Sequence, residues 1–269
     1  MSAPRGRRDW RGRGVVVTGA SSGIGEALAR RLGREGARLA LVARREAELA
    51  RVADAIAADG GPAPCVLPCD FADPSAAAEA GRAAEARLAP GGVELLVNNA
   101  GYGGHRRAVD WPLDDVARMT TVNYVSSVAI TQAVLPAMLA RGRGDVVFVA
   151  SVAGKVATPL EAPYAATKAA MLAFAEALSC EVEDAGVHVL NVCPGVIDTP
   201  FFGEDDLAAM PAVAKRGMVP VDGLVDAVLD ALARGRREIT HPRAIASAYP
   251  VKAIAPGWFR RNVKRTTLG

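Results

Sequence analysis

Short runs of β-branched and other apolar residues alternate along the chain with longer segments rich in alanine, leucine and arginine. The short runs predict buried strands at 15–18, 38–43, 64–68, 94–98, 145–150, 188–193 and 238–240. The longer segments repeat their apolar positions at helical spacing and predict helices at 24–33, 46–58, 113–141, 162–185 and 224–233. This alternation predicts an α/β fold in which helices cover both faces of one parallel sheet.

The predicted elements form one domain, because no internal repeat, low-complexity linker or shift in composition divides them. We expect a flexible basic leader at 1–11, a single domain at 12–243 and a C-terminal extension of that domain at 244–269. The segment 201–219 lacks a regular period and is rich in Gly, Asp, Met and Pro. Long segments of this kind are often functional, so we predict a lid there.

Composition narrows the class of protein. Of 269 residues, 51% are apolar, which is enough to form a core and argues against disorder. The 32 basic and 29 acidic residues leave a net charge of only +3. Nucleic-acid binders usually carry a strong basic field, so this total argues against that class, although the ends of the chain are rich in arginine. The early arginines, which are Arg5, Arg7, Arg8, Arg11 and Arg13, are either a solvated leader or a transit or nucleic-acid arm.

Compartment and metal content follow from two further patterns. The first residues are charged but precede no apolar run, and no window reaches the ~18 uninterrupted apolar residues of a membrane span, so we expect a cytoplasmic protein without an integral membrane segment. Four cysteines in a chain of this length do not make a disulfide scaffold. Cys65 and Cys69 have no nearby His, so we expect no metal site and interpret all four cysteines as buried free thiols.

A glycine-rich turn from Thr18 to Gly25 follows the first predicted strand and opens the first helix. Gly19 permits a tight turn, Gly23 allows the backbone to approach a pyrophosphate, and Gly25 allows close helix packing. The helix N-terminus offers free N–H groups and a positive dipole end to phosphates. The turn therefore predicts a dinucleotide site, although an ordinary strand-to-helix turn has similar composition.

The G-x-x-x-G-x-G spacing of this turn resembles the short-chain dehydrogenase/reductase family. The motif Asn98-Asn99-Ala100-Gly101, the Tyr164-x-x-x-Lys168 pair and Ser151, thirteen residues before Tyr164, are similar to family motifs, as is Pro194-Gly195 followed by Thr199. The resemblance implies a Rossmann-type doubly wound parallel sheet and a nicotinamide cofactor. The cofactor-binding residues that it and the turn imply are Gly19, Ser21, Ser22, Gly23, Ile24, Gly25, Arg44, Arg45, Asp70, Phe71, Asn99, Ala100, Gly101, Tyr164, Lys168, Pro194, Gly195, Val196 and Thr199.

The expected catalytic residues are Ser151, Tyr164, Lys168 and Asn123. Tyr164 and Lys168 are four residues apart on a predicted helix and so share one face. An ammonium group beside a phenol favours the phenolate, so we expect Lys168 to lower the pKa of Tyr164 and fit it for general acid–base catalysis. Ser151, at a strand end, is expected to hydrogen-bond the substrate oxygen. The resemblance further implies that Lys168 holds the nicotinamide ribose and that Asn123 supports a proton-relay water.

The end of the second strand indicates which nicotinamide cofactor is used. NAD sites usually place a carboxylate there for the ribose 2′-hydroxyl, whereas NADP sites use arginine. Here the strand runs into Arg44-Arg45, and the first acid is Glu46. We therefore predict NADP(H), with Arg44 at the 2′-phosphate and Arg45 stacked on adenine.

The leading hypothesis is an oxidoreductase that transfers a hydride between NADP(H) and a carbonyl or secondary alcohol. Its expected pocket is mostly apolar and is formed by Val152, Ala153, Pro159 to Ala162, Val196 and Tyr102 to His105. Family members suggest a homodimer or homotetramer. The alternatives are a catalytically silent cofactor-binding regulator of the same fold and a nucleic-acid binder.

The C-terminal tail leaves two interpretations open. It mixes Ile254, Trp258 and Phe259 with basic residues from Arg260 to Arg265. Such a tail either lies on a membrane surface or packs as a helix over the substrate cleft or against a partner subunit.

Overall fold

The computed structural model describes residues 8–201, 203, 210 and 212–268. Most of the predicted leader, at 1–7, therefore lies outside the described residues, as do 202, 204–209 and 211 of the predicted lid. The division into leader, domain and extension remains a prediction.

The described residues contain a seven-stranded parallel sheet. Its strands are β1 (Gly14–Thr18), β2 (Arg38–Ala43), β3 (Cys65–Pro68), β4 (Leu95–Asn98), β5 (Gly144–Val149), β6 (Val187–Pro194) and β9 (Glu238–His241). They are arranged in the order β3-β2-β1-β4-β5-β6-β9. A separate pair, β7 (Ile197–Asp198) and β8 (Val219–Pro220), follows β6. The order reverses between β1 and β4, and in such sheets ligands bind beyond the carboxyl ends of the strands at that point.

Helices cover both faces of the sheet, which confirms the predicted fold class. The helices are α1 (Gly23–Arg34), α2 (Glu46–Ala58), α3 (Pro74–Arg87), α4 (Leu113–Thr120), α5 (Ser126–Arg141), α6 (Ala162–Val182), α7 (Ala212–Arg216), α8 (Val221–Ala233), α9 (Ala248–Ile254) and α10 (Pro256–Leu268). Alternate residues of each strand enter opposite core layers, because successive side chains point to opposite faces. In β5, for example, Phe148 packs in one layer and Val147 in the other.

Sequence periodicity did not predict α3, because half of its residues are alanine and they give little contrast between an apolar and a polar face. Its start does carry a signal: Pro74 follows Asp73, whose carboxylate accepts a capping hydrogen bond of 2.8 Å from the Ser75 backbone. The end of α6 also differs from the prediction. The helix stops at Val182, and a 3₁₀ turn leads to Gly186, whose φ of +79° ends the segment as expected.

One helical stretch bears on the expected absence of a membrane segment, which stays a prediction. The continuous stretch Leu113–Arg141 is long and apolar enough to span a membrane by length and composition alone, and 39% of its most apolar window is buried in the fold.

The cysteines are not uniformly buried, so the prediction that all four are buried is wrong. Cys69 and Cys193 are buried and Cys65 is half-buried, but Cys180 is exposed because it lies on the outer face of α6.

Candidate active site

The glycine-rich turn leaves the N-terminus of α1 open toward the carboxyl end of the sheet. Gly19 and Gly23 have φ values of +64° and +57°, which favour glycine. A methyl group at Gly25 would lie 2.3 Å from the carbonyl oxygen of Gly19, so α1 approaches the turn too closely for any side chain there. Ser22 precedes α1 in an extended conformation, and its hydroxyl makes no capping hydrogen bond. The first N–H groups of α1 thus remain available to an anion.

The hydroxyl of Thr18 joins this turn to the segment that follows β4. It accepts hydrogen bonds from the backbone N–H groups of Asn99 (2.8 Å) and Ala100 (2.9 Å), and it donates to Val97 (3.1 Å). The side-chain amide of Asn99 donates in turn to the Thr18 carbonyl at 3.0 Å. Because Thr18 is fully buried, this network fixes the backbone from Asn99 to Gly101 beside Gly19. Sequence reasoning named Thr18 only as the start of the turn and assigned it no role, although a polar residue ending an apolar strand is a usable signal.

Two exposed arginines stand where β2 ends. One Nη atom of Arg45 donates to the hydroxyls of both Ser21 and Ser22, at 3.1 Å each. Both arginines line the cavity above this turn. They also line a second lobe beside it, which is bordered by Asp70 and Phe71. Arg45 therefore reaches across the phosphate-binding turn, a position that its predicted stacking on adenine does not require.

Ser151, Tyr164 and Lys168 are brought together by β5 and α6. Ser151 follows the end of β5, and its hydroxyl accepts a 3.1 Å hydrogen bond from the Ala153 backbone. Lys168 is 3% exposed and donates to the Val149 carbonyl at 2.8 Å. Its ammonium lies 5.7 Å from the centre of the Tyr164 ring, as expected for residues one helical turn apart. A hydrogen bond also joins Tyr164 and Ser151.

The charge states of this group differ from the prediction that Lys168 lowers the pKa of Tyr164. Burial raises the pKa of Tyr164 well above its usual value, and the hydrogen bond from Ser151 only partly opposes this effect. The negative charge of Glu161 raises the same pKa further. Burial also lowers the pKa of Lys168 to about 8. Desolvation is thus the largest cause of both shifts, and Tyr164 retains its proton at neutral pH.

Asn123 lies behind the reacting groups, on a π-helical turn (Thr121–Val125) between α4 and α5. It is fully buried. Its amide donates to the Tyr102 carbonyl at 2.9 Å and to the Thr167 hydroxyl at 3.1 Å, and its side-chain oxygen accepts from the Tyr102 backbone at 3.0 Å. The π turn is a common feature of functional sites, and here it holds Asn123 next to Gly101 and α6.

The segment after β6 closes the other side of the cleft. Gly195 donates its backbone N–H to the His241 carbonyl at 2.8 Å, and Val196 accepts from the Val219 backbone at 3.1 Å. A methyl group at Gly23 would lie 3.3 Å from the Cβ of Thr199, so this segment faces the glycine-rich turn directly. The predicted residues Pro194, Gly195, Val196 and Thr199 all line the same cavity as Tyr164.

These groups surround one cavity of about 790 Å³, which runs from the arginines to Ser151 and Tyr164. Val152, Ala153, Pro159, Glu161 and Val196 line it as predicted, together with Tyr102 and His105. Val156 and Thr158, which lie between predicted lining residues, also line the cavity, as do Phe201, Met210, Ala214 and Gly217 from the segment predicted as a lid. Periodicity gave no signal for the more distant lining residues Ile245, Val263, Thr266 and Thr267. The last three belong to α10, so the tail packs over the cleft.

Comparisons with known proteins agree with this geometry. A family model described as short chain dehydrogenase matches residues 13–209. A dehydrogenase/reductase SDR family protein 7-like from Drosophila melanogaster is 35% identical, and the match covers 96% of this chain and 82% of that protein. A dehydrogenase/reductase SDR family member 7B from Bos taurus is also 35% identical, over 92% of this chain and 79% of that protein.

Solved structures are similar over most of their length. A short-chain type dehydrogenase/reductase from Mycobacterium marinum has a TM-score of 0.79 at 27% identity, covering 88% of this chain and 96% of that one. A short chain dehydrogenase/reductase from Burkholderia phymatum, solved in complex with NAD, has a TM-score of 0.81 at 25% identity, covering 91% and 94%.

Proposed function

Because the chain belongs to the short-chain dehydrogenase/reductase family, we propose that it is an NADP(H)-dependent oxidoreductase acting on a carbonyl or secondary alcohol. Tyr164 is the general acid and base of this reaction. The family resemblance drawn from the sequence is confirmed, and a nicotinamide cofactor and general dehydrogenase/reductase activity come with it. The preference for NADP(H), the substrate type and the residue roles are our proposals.

The cavity fits a dinucleotide at three places. The turn at Gly19 and the open N-terminus of α1 hold the pyrophosphate. Asp70 and Phe71, in the second lobe, border the adenine. Lys168 and the segment from Pro194 to Thr199 face the nicotinamide and its ribose.

The bound nicotinamide supplies the hydride, and the protein supplies position and a proton. Ser151 and Tyr164 both direct hydroxyl groups at the substrate oxygen. In the direction of reduction, Tyr164 donates its phenolic proton to the oxygen as negative charge develops there. Its raised pKa keeps that proton in place until then. Lys168 holds the ribose. Asn123 supports the relay that returns a proton to Tyr164.

The choice of NADP(H) rests on one observation: Arg45 is bound to both Ser21 and Ser22 across the phosphate-binding turn. We assign the 2′-phosphate to this group together with Arg44. A planar guanidinium and two hydroxyls are good phosphate ligands, and no carboxylate ends β2 to accept a hydrogen bond from a ribose 2′-hydroxyl.

The test is a titration of the purified protein with NADPH and with NADH. We expect NADPH to bind at least about tenfold more tightly, because a charged hydrogen bond contributes about 1.5–3 kcal/mol. Replacing Arg44 with Asp and Arg45 with Ala should move the preference toward NADH. Arg82→Asp, which changes an exposed arginine on α3 outside both lobes, is the matched control. Equal turnover with NADPH and NADH in the unaltered protein would contradict the proposal.

Cytoplasmic location and association into a homodimer or homotetramer are also part of the proposal. Val125, directly before α5, and Leu139, near the end of α5, are large apolar residues with 40% and 37% exposure, which supports a partner subunit on this helix. Light scattering on a sizing column measures the assembly, and a monomeric mass at micromolar concentration would contradict it.

A further inference from the structure

Three polar side chains form a cluster in the otherwise mostly apolar substrate end of the cleft. Oε1 of Glu161 lies 3.3 Å from Nε2 of His105, and the hydroxyl of Thr158 donates to Oε2 of Glu161. The His105 and Glu161 side chains are only 5% and 19% exposed. All three residues line the same cavity as Ser151 and Tyr164.

The backbone that places Glu161 in this cluster is strained at the residue before it. Leu160, the preceding residue, has a φ of +72°, which no other non-glycine residue in the described part of the chain matches in sign. Such conformations are unfavourable for residues with a side chain and concentrate at functional sites. The Leu160 carbonyl accepts a 2.9 Å hydrogen bond from the Arg106 backbone, which ties this turn to the loop that carries His105.

The carboxylate of Glu161 is not used for helix capping. Glu161 stands at the N-terminal boundary of α6 but makes no side-chain hydrogen bond to the first turn of the helix. Its two described partners, His105 and Thr158, leave part of its acceptor capacity open, because a carboxylate has about four lone-pair sites. A partly buried carboxylate is stable only when donors surround it. Donors from a ligand in the cavity would complete its set.

Glu161 is also close enough to Tyr164 to affect the pKa of its phenol. Its negative charge raises the pKa of Tyr164, whereas Ser151 acts in the opposite sense. Among the described residues, the other titratable groups at this end of the cleft are Tyr102 and His105, from the loop after β4, and Lys168, one turn beyond Tyr164 on α6. Glu161 is three residues before Tyr164 at the start of α6, and both residues line the same cavity. A substrate whose oxygen meets Tyr164 therefore has its neighbouring atoms near Glu161.

We propose that Glu161, together with His105, is the recognition site for a hydrogen-bond donor on the substrate. The favoured substrates are carbonyl compounds that carry a hydroxyl or ammonium group near the carbonyl, in preference to plain ketones. Keto acids are disfavoured, because a second carboxylate would face that of Glu161. This deepens the proposed function and rests on it.

The test compares four ketones of matched size, which carry a hydroxyl, an ammonium, a methyl or a carboxylate group beside the carbonyl. Reduction by NADPH is measured with the unaltered protein, with Glu161→Gln and with Glu176→Gln. The last variant makes the same change at an exposed position on the same helix. The unaltered protein should favour the hydroxyl or ammonium ketone over the methyl ketone about 10- to 100-fold in kcat/KM, as expected for a hydrogen bond to a charged group. Whichever of the hydroxyl and ammonium ketones has the higher kcat/KM identifies the donor group that Glu161 recognises.

Glu161→Gln should remove most of that preference and raise the relative rate on the keto acid, with unchanged NADPH affinity. It should also move the pH profile of alcohol oxidation to lower pH, because loss of the negative charge makes the Tyr164 proton easier to remove. A purely structural role for Glu161 would not move this profile. Glu176→Gln should behave as the unaltered protein in each measurement.

The proposal is overturned if the unaltered protein reduces the methyl ketone as well as the hydroxyl and ammonium ketones, a result that needs no variant to fold. It is also overturned if Glu161→Gln retains the preference. If no ketone is reduced, the proposed function fails, and the recognition site is then judged by calorimetry of the four compounds with the NADP-loaded protein. Equal affinity for the hydroxyl, ammonium and methyl compounds in that measurement overturns the site as well.

Discussion

Replacing Thr18 with valine tests the network that fixes the cofactor cleft. The change exchanges a buried hydroxyl for a methyl group of similar size, so packing is largely preserved. Two backbone N–H groups, those of Asn99 and Ala100, lose an acceptor that lies at 2.8 and 2.9 Å. A buried donor left unpaired costs about 1–3 kcal/mol, so we expect the loss of two partners to lower the free energy of unfolding by about 2–6 kcal/mol.

Thr18→Ser separates hydrogen bonding from packing. It retains the hydroxyl and removes one methyl group, which should cost about 1 kcal/mol by comparison with similar core deletions. The assay is urea unfolding followed by circular dichroism at pH 7, with NADPH titration of each folded variant. The valine variant should be the less stable of the two and should bind NADPH more weakly. If valine is tolerated as well as serine, the Thr18 hydroxyl does not hold the cleft and the reasoning is refuted.

Three other perturbations follow from the same geometry. Gly25→Ala should weaken NADPH binding at least tenfold in calorimetry, because the added methyl would lie 2.3 Å from the Gly19 carbonyl, whereas Gly257→Ala, at an uncrowded position, should not. Burial lowers the pKa of Lys168 to about 8, so above that pH the unfolded chain binds more protons than the folded one. The free energy of unfolding, compared with that of Lys168→Met, should therefore rise by about 2 kcal/mol between pH 8 and 10. If urea unfolding shows a difference between the two proteins that does not change with pH, this prediction is wrong. Ending the chain after Ala255 removes α10 from the cleft and should raise the KM for a ketone while leaving NADPH affinity unchanged; an unaltered KM would show that α10 does not contribute to substrate binding.

Strand and helix order could be predicted because buried parallel strands and amphipathic helices have strong, distinct patterns. The helix α3 escaped because alanine is apolar yet small, so its buried and exposed faces look alike in sequence. The π turn at Asn123 also escaped, because the residues of α5 that follow it are apolar at most positions, so a shift of helical phase leaves no visible change in the sequence.

The sequence motifs identified Tyr164, Lys168 and the glycine-rich turn, but not their electrostatics. The i, i+4 spacing shows that the two side chains are near one another, whereas the pKa of each depends on how far water is excluded, which is a property of the folded cleft. Similarly, no local pattern connects Thr158 with His105 or brings Thr266 to the cavity. Those contacts arise from long-range packing of loops and of the C-terminal helix.

The most direct test of the account is Tyr164→Phe, which removes only the phenolic hydroxyl. We predict that this variant binds NADPH with unchanged affinity but loses at least about 100-fold in kcat on any ketone that the unaltered protein reduces, as expected for loss of a general acid. Both quantities are read from NADPH itself, by fluorescence on binding and by absorbance during turnover. Retained turnover in the variant would show that Tyr164 is not the proton donor and would contradict the account.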